Sequence, residues 1–183
     1  MSKNFHFYIY SDEVFSLNNS NIKDTFSRLA SSVSVLRVLS AEAPPGIIAA
    51  TISSLMTLSV EPKEEEVAFA LKKNSYVGEK VLIGSKFSIS VLNITQMELA
   101  TYYGSSNNAL RKNEEKWENY WDESEEFPYI KSSVIALHCE LDKLIDRSHS
   151  VLYIARIIQF KSSNATSPLI YQDRSYGRFS KSL

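Results

Sequence analysis

The 183-residue sequence predicts a mainly β domain, a closed Greek-key barrel carrying a few short peripheral helices. Five or six strand-length segments run along it, and its helical segments are few and short, which favours a barrel over a doubly wound sheet. No Gly-x-Gly-x-x-Gly or Walker-type sequence occurs, so a nucleotide, if held, is held without the units those motifs build. Ile135, Leu137, Cys139 and Leu141 alternate with Val134, Ala136, His138 and Glu140, the period of a sheet with two different faces.

Residues 1–20 read as a polar arm, and 21–183 as one domain without repeats or a long linker. Ile22, Phe26 and Leu29 recur at helical spacing after a possible cap, Asn21. Val33 and Val35 to Leu39 form a strand that Ala43-Pro-Pro-Gly46 stops. Ile47 to Leu58 mixes apolar with small hydroxyl residues, and Glu66 to Leu71 is the next strand. After the polar break Lys72-Lys-Asn-Ser75 comes a short helix, Tyr76 to Ile83, then the alternating strand Phe87 to Leu92. Thr95-Gln-Met-Glu98 has capping-box spacing and opens a helix to about Tyr103. Residues 104–128 are polar, acidic and aromatic, an irregular excursion. Two long strands, to Leu141 and from Val151 to Ile158, flank a turn at Asp146-Arg-Ser-His149, and Pro168 to Tyr171 is a last short strand.

Composition narrows the function. An apolar share of 44% suits a globular core, and 20 Lys plus Arg against 21 Asp plus Glu leaves no global field for nucleic acid. No run of ~20 apolar residues offers a membrane span. The single cysteine, Cys139, cannot form an intramolecular disulfide, and the N-terminus lacks a signal-peptide pattern, so a cytoplasmic address is expected. Three histidines and one cysteine make a zinc site improbable, and no nucleophile–base pair is legible.

Three places can carry chemistry. Thr51, Ser53, Ser54, Thr57 and Ser59 sit among Ile52, Leu55, Met56 and Leu58. A planar polar ring needs such a wall, apolar over its face and hydroxyl-bearing at its edge; a buried strand with tolerated hydroxyls has the same composition. Lys72, Lys73, Asn74 and Ser75 can hold a phosphate at the start of a helix, or simply form a capped basic turn. His149, in a polar turn between long strands, can meet a ligand in a barrel mouth or stand exposed.

In order, these segments resemble the flavin reductase family from about Phe26 to Tyr176. Ala49 to Pro62 is similar to the family signature G.TANSF.SLS.DPP, and Phe87 to Leu92 to its strand F.VNVL. Pro128 to Cys139 matches the run P.L..A.A.L.C, Asp146 to Ile154 the GDH turn, and Pro168 to Tyr176 the closing PLLY…Y. The resemblance implies an FMN-binding split barrel, a homodimer with flavin near the subunit interface. It further implies hydride transfer from NAD(P)H to FMN or FAD, supplying reduced flavin to a partner monooxygenase. Carried over, Thr51, Ser53, Ser54 and Ser59 edge the ring and Lys73, Asn74 and Ser75 lie near the phosphate. His149 reaches the flavin or nicotinamide as the catalytic candidate, with Tyr176 in the same mouth. The chain departs from the pattern at Arg147-Ser148, where the family has Gly-Asp, at Ser53 for asparagine and at Lys63 for proline. The first departure favours a rival, a non-enzymatic flavin carrier of the same fold. A second rival, an oxidase of the pyridoxine-phosphate branch, calls for basic character that is missing.

Overall fold

Apolar residues alternating along six strands close into a barrel around Leu36, Phe69, Phe87, Ile89, Cys139 and Leu141, all essentially without solvent contact. The computed structural model describes residues 19–39, 47–105, 114–123, 127–163 and 167–180. The expected arm lies outside them except for its last two residues, as does the Ala43–Gly46 stop.

Helix α1 (Asn19–Ser27) opens two residues before the expected cap. The expected apolar stripe is largely uncovered, Phe26 on the helix and Leu29 just beyond its end both being 61% exposed. Strands β1 (Ser31–Ser32), β2 (Ser34–Leu39), β3 (Ala49–Ile52), β4 (Met56–Ser59), β5 (Glu66–Lys72) and β6 (Lys86–Val91) follow. Then come α2 (Met97–Gly104), α3 (Glu114–Glu118), β7 (Trp121–Asp122), β8 (Tyr129–Ile130), β9 (Ile135–Asp146), β10 (Ser150–Ser162), β11 (Leu169–Gln172) and β12 (Ser175–Arg178).

Seven strands form the barrel sheet in the order β3-β2-β6-β9-β10-β5-β4, every pair antiparallel. The consecutive strands β5 and β6 are separated by the β9–β10 hairpin, a Greek-key crossing. Two register shifts, at Ile154/Ala155 and Ile157/Gln159, bend that long hairpin around the core. The edge strands β3 and β4 are consecutive in the chain, so the corner at residues 53–55 closes the barrel. Ser54 fastens it: its Oγ accepts from Ala70 N at 2.9 Å and donates to Ala70 O at 3.0 Å. Because Met56 pairs with Ala68, Ser54 stands where the ladder's next pair would fall, and one side chain continues it.

A second core covers the barrel's flank, with Val33, Val35 and Ala49 against Leu99, Tyr102 and Trp121. The expected excursion therefore contributes to this layer: Trp117 and Trp121 are buried in it, and Tyr102 stacks on Trp117 at 4.9 Å. The capping box before α2 is Asn93 with Gln96, two residues ahead of the expected one. Asn93 gains there because its side chain also donates to Ser132 O at 2.7 Å. The helix expected over Tyr76–Ile83 shrinks to a 3-10 turn, Gly78–Lys80, ended by extended backbone at Val81. Glycine at its start and Gly84 at φ 78° both oppose a longer helix.

Candidate functional site

A cavity of about 650 Å³ opens where β3, the barrel's closing corner, the end of β5 and the end of α2 converge. That size suits a cofactor-scale ligand, for which ~300–1,000 Å³ is typical. Thr51, Ser53, Ser54, Asn74 and Ser75 all line it, so two stretches well separated in sequence meet on one wall.

The hydroxyls on this wall are not equivalent. Thr51 Oγ1 donates to Ala100 O at 2.7 Å, which fixes α2 against β3 and leaves Thr51 only lone pairs for a ligand. Ser54 spends its proton on Ala70 O and so presents at most an acceptor. Ser75 is the opposite: its Oγ accepts at 3.1 Å from the N–H of Gly78, the first residue of the 3-10 turn, leaving its O–H to donate. The cavity thus has an acceptor end at Thr51 and Ser54 and a donor end at Ser75. Lys72 and Asn74, in the same turn as Ser75, are also on the lining, Asn74 with a left-handed backbone, φ 62°.

The remaining candidates stand apart from this lining. Lys73 turns away to Asp146, with Nζ 2.8 Å from both carboxylate oxygens. That pair is solvent-exposed, 41% and 67%, and stabilises little. Both residues line a smaller recess of about 300 Å³ floored by Leu144, Val151 and Tyr153, on the other side of the 72–75 turn. His149 is exposed in the β9–β10 turn, its carbonyl accepting from Lys73 N at 3.0 Å, so this turn is tied to the cavity wall through the backbone. Ser59 lies at the end of β4, with its Oγ accepting from Glu61 N at 3.2 Å. Tyr176 packs on Tyr171, ring centroids 5.3 Å apart, beside α2 in the second core. Burial raises its phenol pKa, the Tyr171 charge adds to this, and a hydrogen bond with Thr101 opposes it.

Sequence reasoning missed the α2 end. Tyr103, Gly104 and Ser105 line the cavity opposite the corner. A Cβ at Gly104 would lie 3.5 Å from Thr51, ordinary contact, so this glycine marks a close approach without forcing it. Tyr103 is held by Trp121, whose Nε1–H donates to its hydroxyl at 2.9 Å. Only the 3D meeting of α2 with β3 reveals this wall. Among the described residues no group of three or more His, Cys, Asp or Glu can hold a metal ion. Cys139 is buried in the barrel, and that burial pushes its thiol to about 12, far from a reactive thiolate.

Residues 26–180 match the family model described as flavin reductase like domain. No curated protein sequence matches the chain. Among solved structures, the NADH:FAD oxidoreductase SgcE6 of Streptomyces globisporus superposes with a TM-score of 0.76 at 16% identity, covering 94% of this chain and 99% of its own. BorF, the flavin reductase component of a bacterial two-component tryptophan halogenase, gives 0.75 at 16%, covering 90% of this chain and 100% of its own. The styrene monooxygenase flavin reductase of Pseudomonas putida S12 gives 0.73 at 18%, covering 89% and 99%.

Proposed function

Since the chain belongs to the flavin reductase-like family, we propose that it reduces a flavin, FMN or FAD, with hydride from NADH or NADPH, at the cavity beside the barrel's closing corner. The observation that carries this reading is the division of the wall into an acceptor end and a cationic, donor-bearing end. An isoalloxazine ring brings an N–H edge that Thr51 and Ser54 can accept, and a ribityl phosphate that Lys72, Asn74 and Ser75 can meet with donors. The donor set fits the group.

When bound, the flavin supplies the hydride acceptor, and the protein needs no obligatory acid or base. That agrees with a site whose described residues offer hydroxyls and one ammonium rather than a catalytic dyad. The chain's part would be to hold the ring's edge at Thr51 and Ser54, with Ile52 and Tyr103 supplying apolar lining, and to align it with a nicotinamide. His149 is the candidate to meet the nicotinamide; the backbone bond from Lys73 N to its carbonyl, beside Lys72 and Asn74 of the lining, supports this. Ser59 and Tyr176 lie further out and belong to the margin of the site.

The protein works as a homodimer and passes reduced flavin to a separate monooxygenase. The apolar surface at Phe26, Leu29, Met56 and Phe160 supports self-association, and the reductase components among the structural neighbours support a partner oxygenase. Loss of NADH or NADPH absorbance with FMN and with FAD is the direct test. Turnover with either pair carries the reading, and flavin binding without turnover replaces it with a carrier. Arg147-Ser148, in the turn before His149, is the feature that favours the carrier. Sedimentation of a stable monomer with full flavin affinity refutes the dimer.

A further inference from the structure

We infer that Tyr153, which does not line the cavity, is a positioning residue that sets the direction of the Ser75 donor and with it the preference for a phosphate-bearing flavin. The inference rests on the reading that the donor end takes the phosphate. Tyr153 is 3% exposed inside the barrel, opposite Phe69 in the β5–β10 register, and the two rings stack 5.0 Å apart at 3°. Its position is therefore fixed by the core. Its hydroxyl donates to Gly78 O at 3.2 Å, and the N–H of the same glycine donates to Ser75 Oγ at 3.1 Å.

Gly78 is thus gripped from both sides, and the space shows how closely. A Cβ there would stand 2.6 Å from Ser75 Oγ and 2.9 Å from the Tyr153 hydroxyl, both below any tolerated contact. Only glycine lets the two hydroxyls converge on one residue. With the glycine held, the Ser75 oxygen is committed as an acceptor and its proton is left for the ligand. Without the Tyr153 bond, Val77 and Val81 still seat the turn in the barrel core, and what is lost is the fixed orientation of Gly78 and with it the serine's direction. The effect belongs to the phosphate end alone, because Thr51 and Ser54 are held by hydrogen bonds to Ala100 and Ala70, whereas the Tyr153 hydroxyl donates to Gly78.

The test compares FMN with riboflavin, which lacks the phosphate, by calorimetric or fluorescence titration of the full chain. Tyr153→Phe keeps the ring stack and removes the hydroxyl. It is expected to weaken FMN about fivefold, the size of one neutral hydrogen bond, while riboflavin stays within about twofold. Gly78→Ala, which displaces the serine hydroxyl by the opposite route, gives the same selective loss. In a Ser75→Ala background Tyr153→Phe has no further effect on FMN. Equal losses for FMN and riboflavin, or an undiminished effect in the Ser75→Ala background, overturn the positioning role. A wild type that binds FMN no better than riboflavin overturns both this inference and the phosphate reading beneath it. A wild-type preference that survives Tyr153→Phe and Gly78→Ala overturns the inference alone.

Discussion

Removing one hydroxyl, in Ser54→Ala, tests whether the barrel is closed by a side chain. Ser54 makes two hydrogen bonds to Ala70, 2.9 and 3.0 Å long, at a corner that is itself exposed. Water can partly replace both, so each contributes toward the lower part of the usual range for a neutral bond, about 1–2 kcal/mol together. In a domain of this size that corresponds to a melting point lower by about 2–8 °C. Ser53, exposed at the same corner, is the control, and Ser53→Ala is expected to shift stability by no more than ~0.5 kcal/mol. Calorimetric or circular-dichroism melts of wild type and both variants, without flavin and at one protein concentration, decide it. If Ser54→Ala melts with the wild type, or if Ser53→Ala falls as far, Ser54 does not hold the edges together.

Other outcomes follow from the same geometry. His149→Ala slows nicotinamide-dependent flavin reduction about tenfold in stopped flow while flavin affinity stays within about twofold; an unchanged rate makes it a plain turn residue. Thr51→Trp breaks the bond to Ala100, fills the cavity beside α2 and abolishes flavin binding in a chain that still shows native circular dichroism; retained affinity removes this wall from the site. Burial of Cys139 raises its thiol from 9.0 to about 12, so the stability this neutral group contributes is whole below pH 9 and is lost as pH rises toward 12. At three units the loss is at most ~4 kcal/mol, and Cys139→Ala flattens that alkaline decline in pH-dependent melts; an unchanged slope shows that other groups cause it.

Much of the barrel was legible because strand periodicity is local. Leu137, Cys139 and Leu141 do face the core, and Ala136 and His138 the other side, where Phe127 stacks on His138 at 4.9 Å. The hydroxyl corner and the Lys72–Ser75 turn were legible as polar interruptions between apolar strands. What the sequence hid was non-local. Lys73 looks as fit for an anion as Lys72 until the β9 end brings Asp146 to it. The stripe on α1 has the right spacing for a core-facing helix, yet Phe26 and Leu29 face outward, since periodicity marks an apolar face without saying what covers it. The aromatic stretch within 104–128 read only as an irregular excursion because the partners of Trp117 and Trp121, Tyr102 and Tyr103, lie on α2.

The way β3 and β4 meet also fixes where the barrel breathes. Around most of its circumference, opening means breaking a ladder, most of all along the β9–β10 hairpin. At the corner it means parting one serine from one residue, Ala70. Small native-state fluctuations are therefore confined to the side that carries the cavity, while the opposite side moves only with global unfolding. Hydrogen exchange separates the two: the Ala70 amide reports the local opening, and the amides of residues 137–141 report the whole barrel. A ligand lying across the corner slows exchange at Ala70 first, so the same weak place serves as door and as latch.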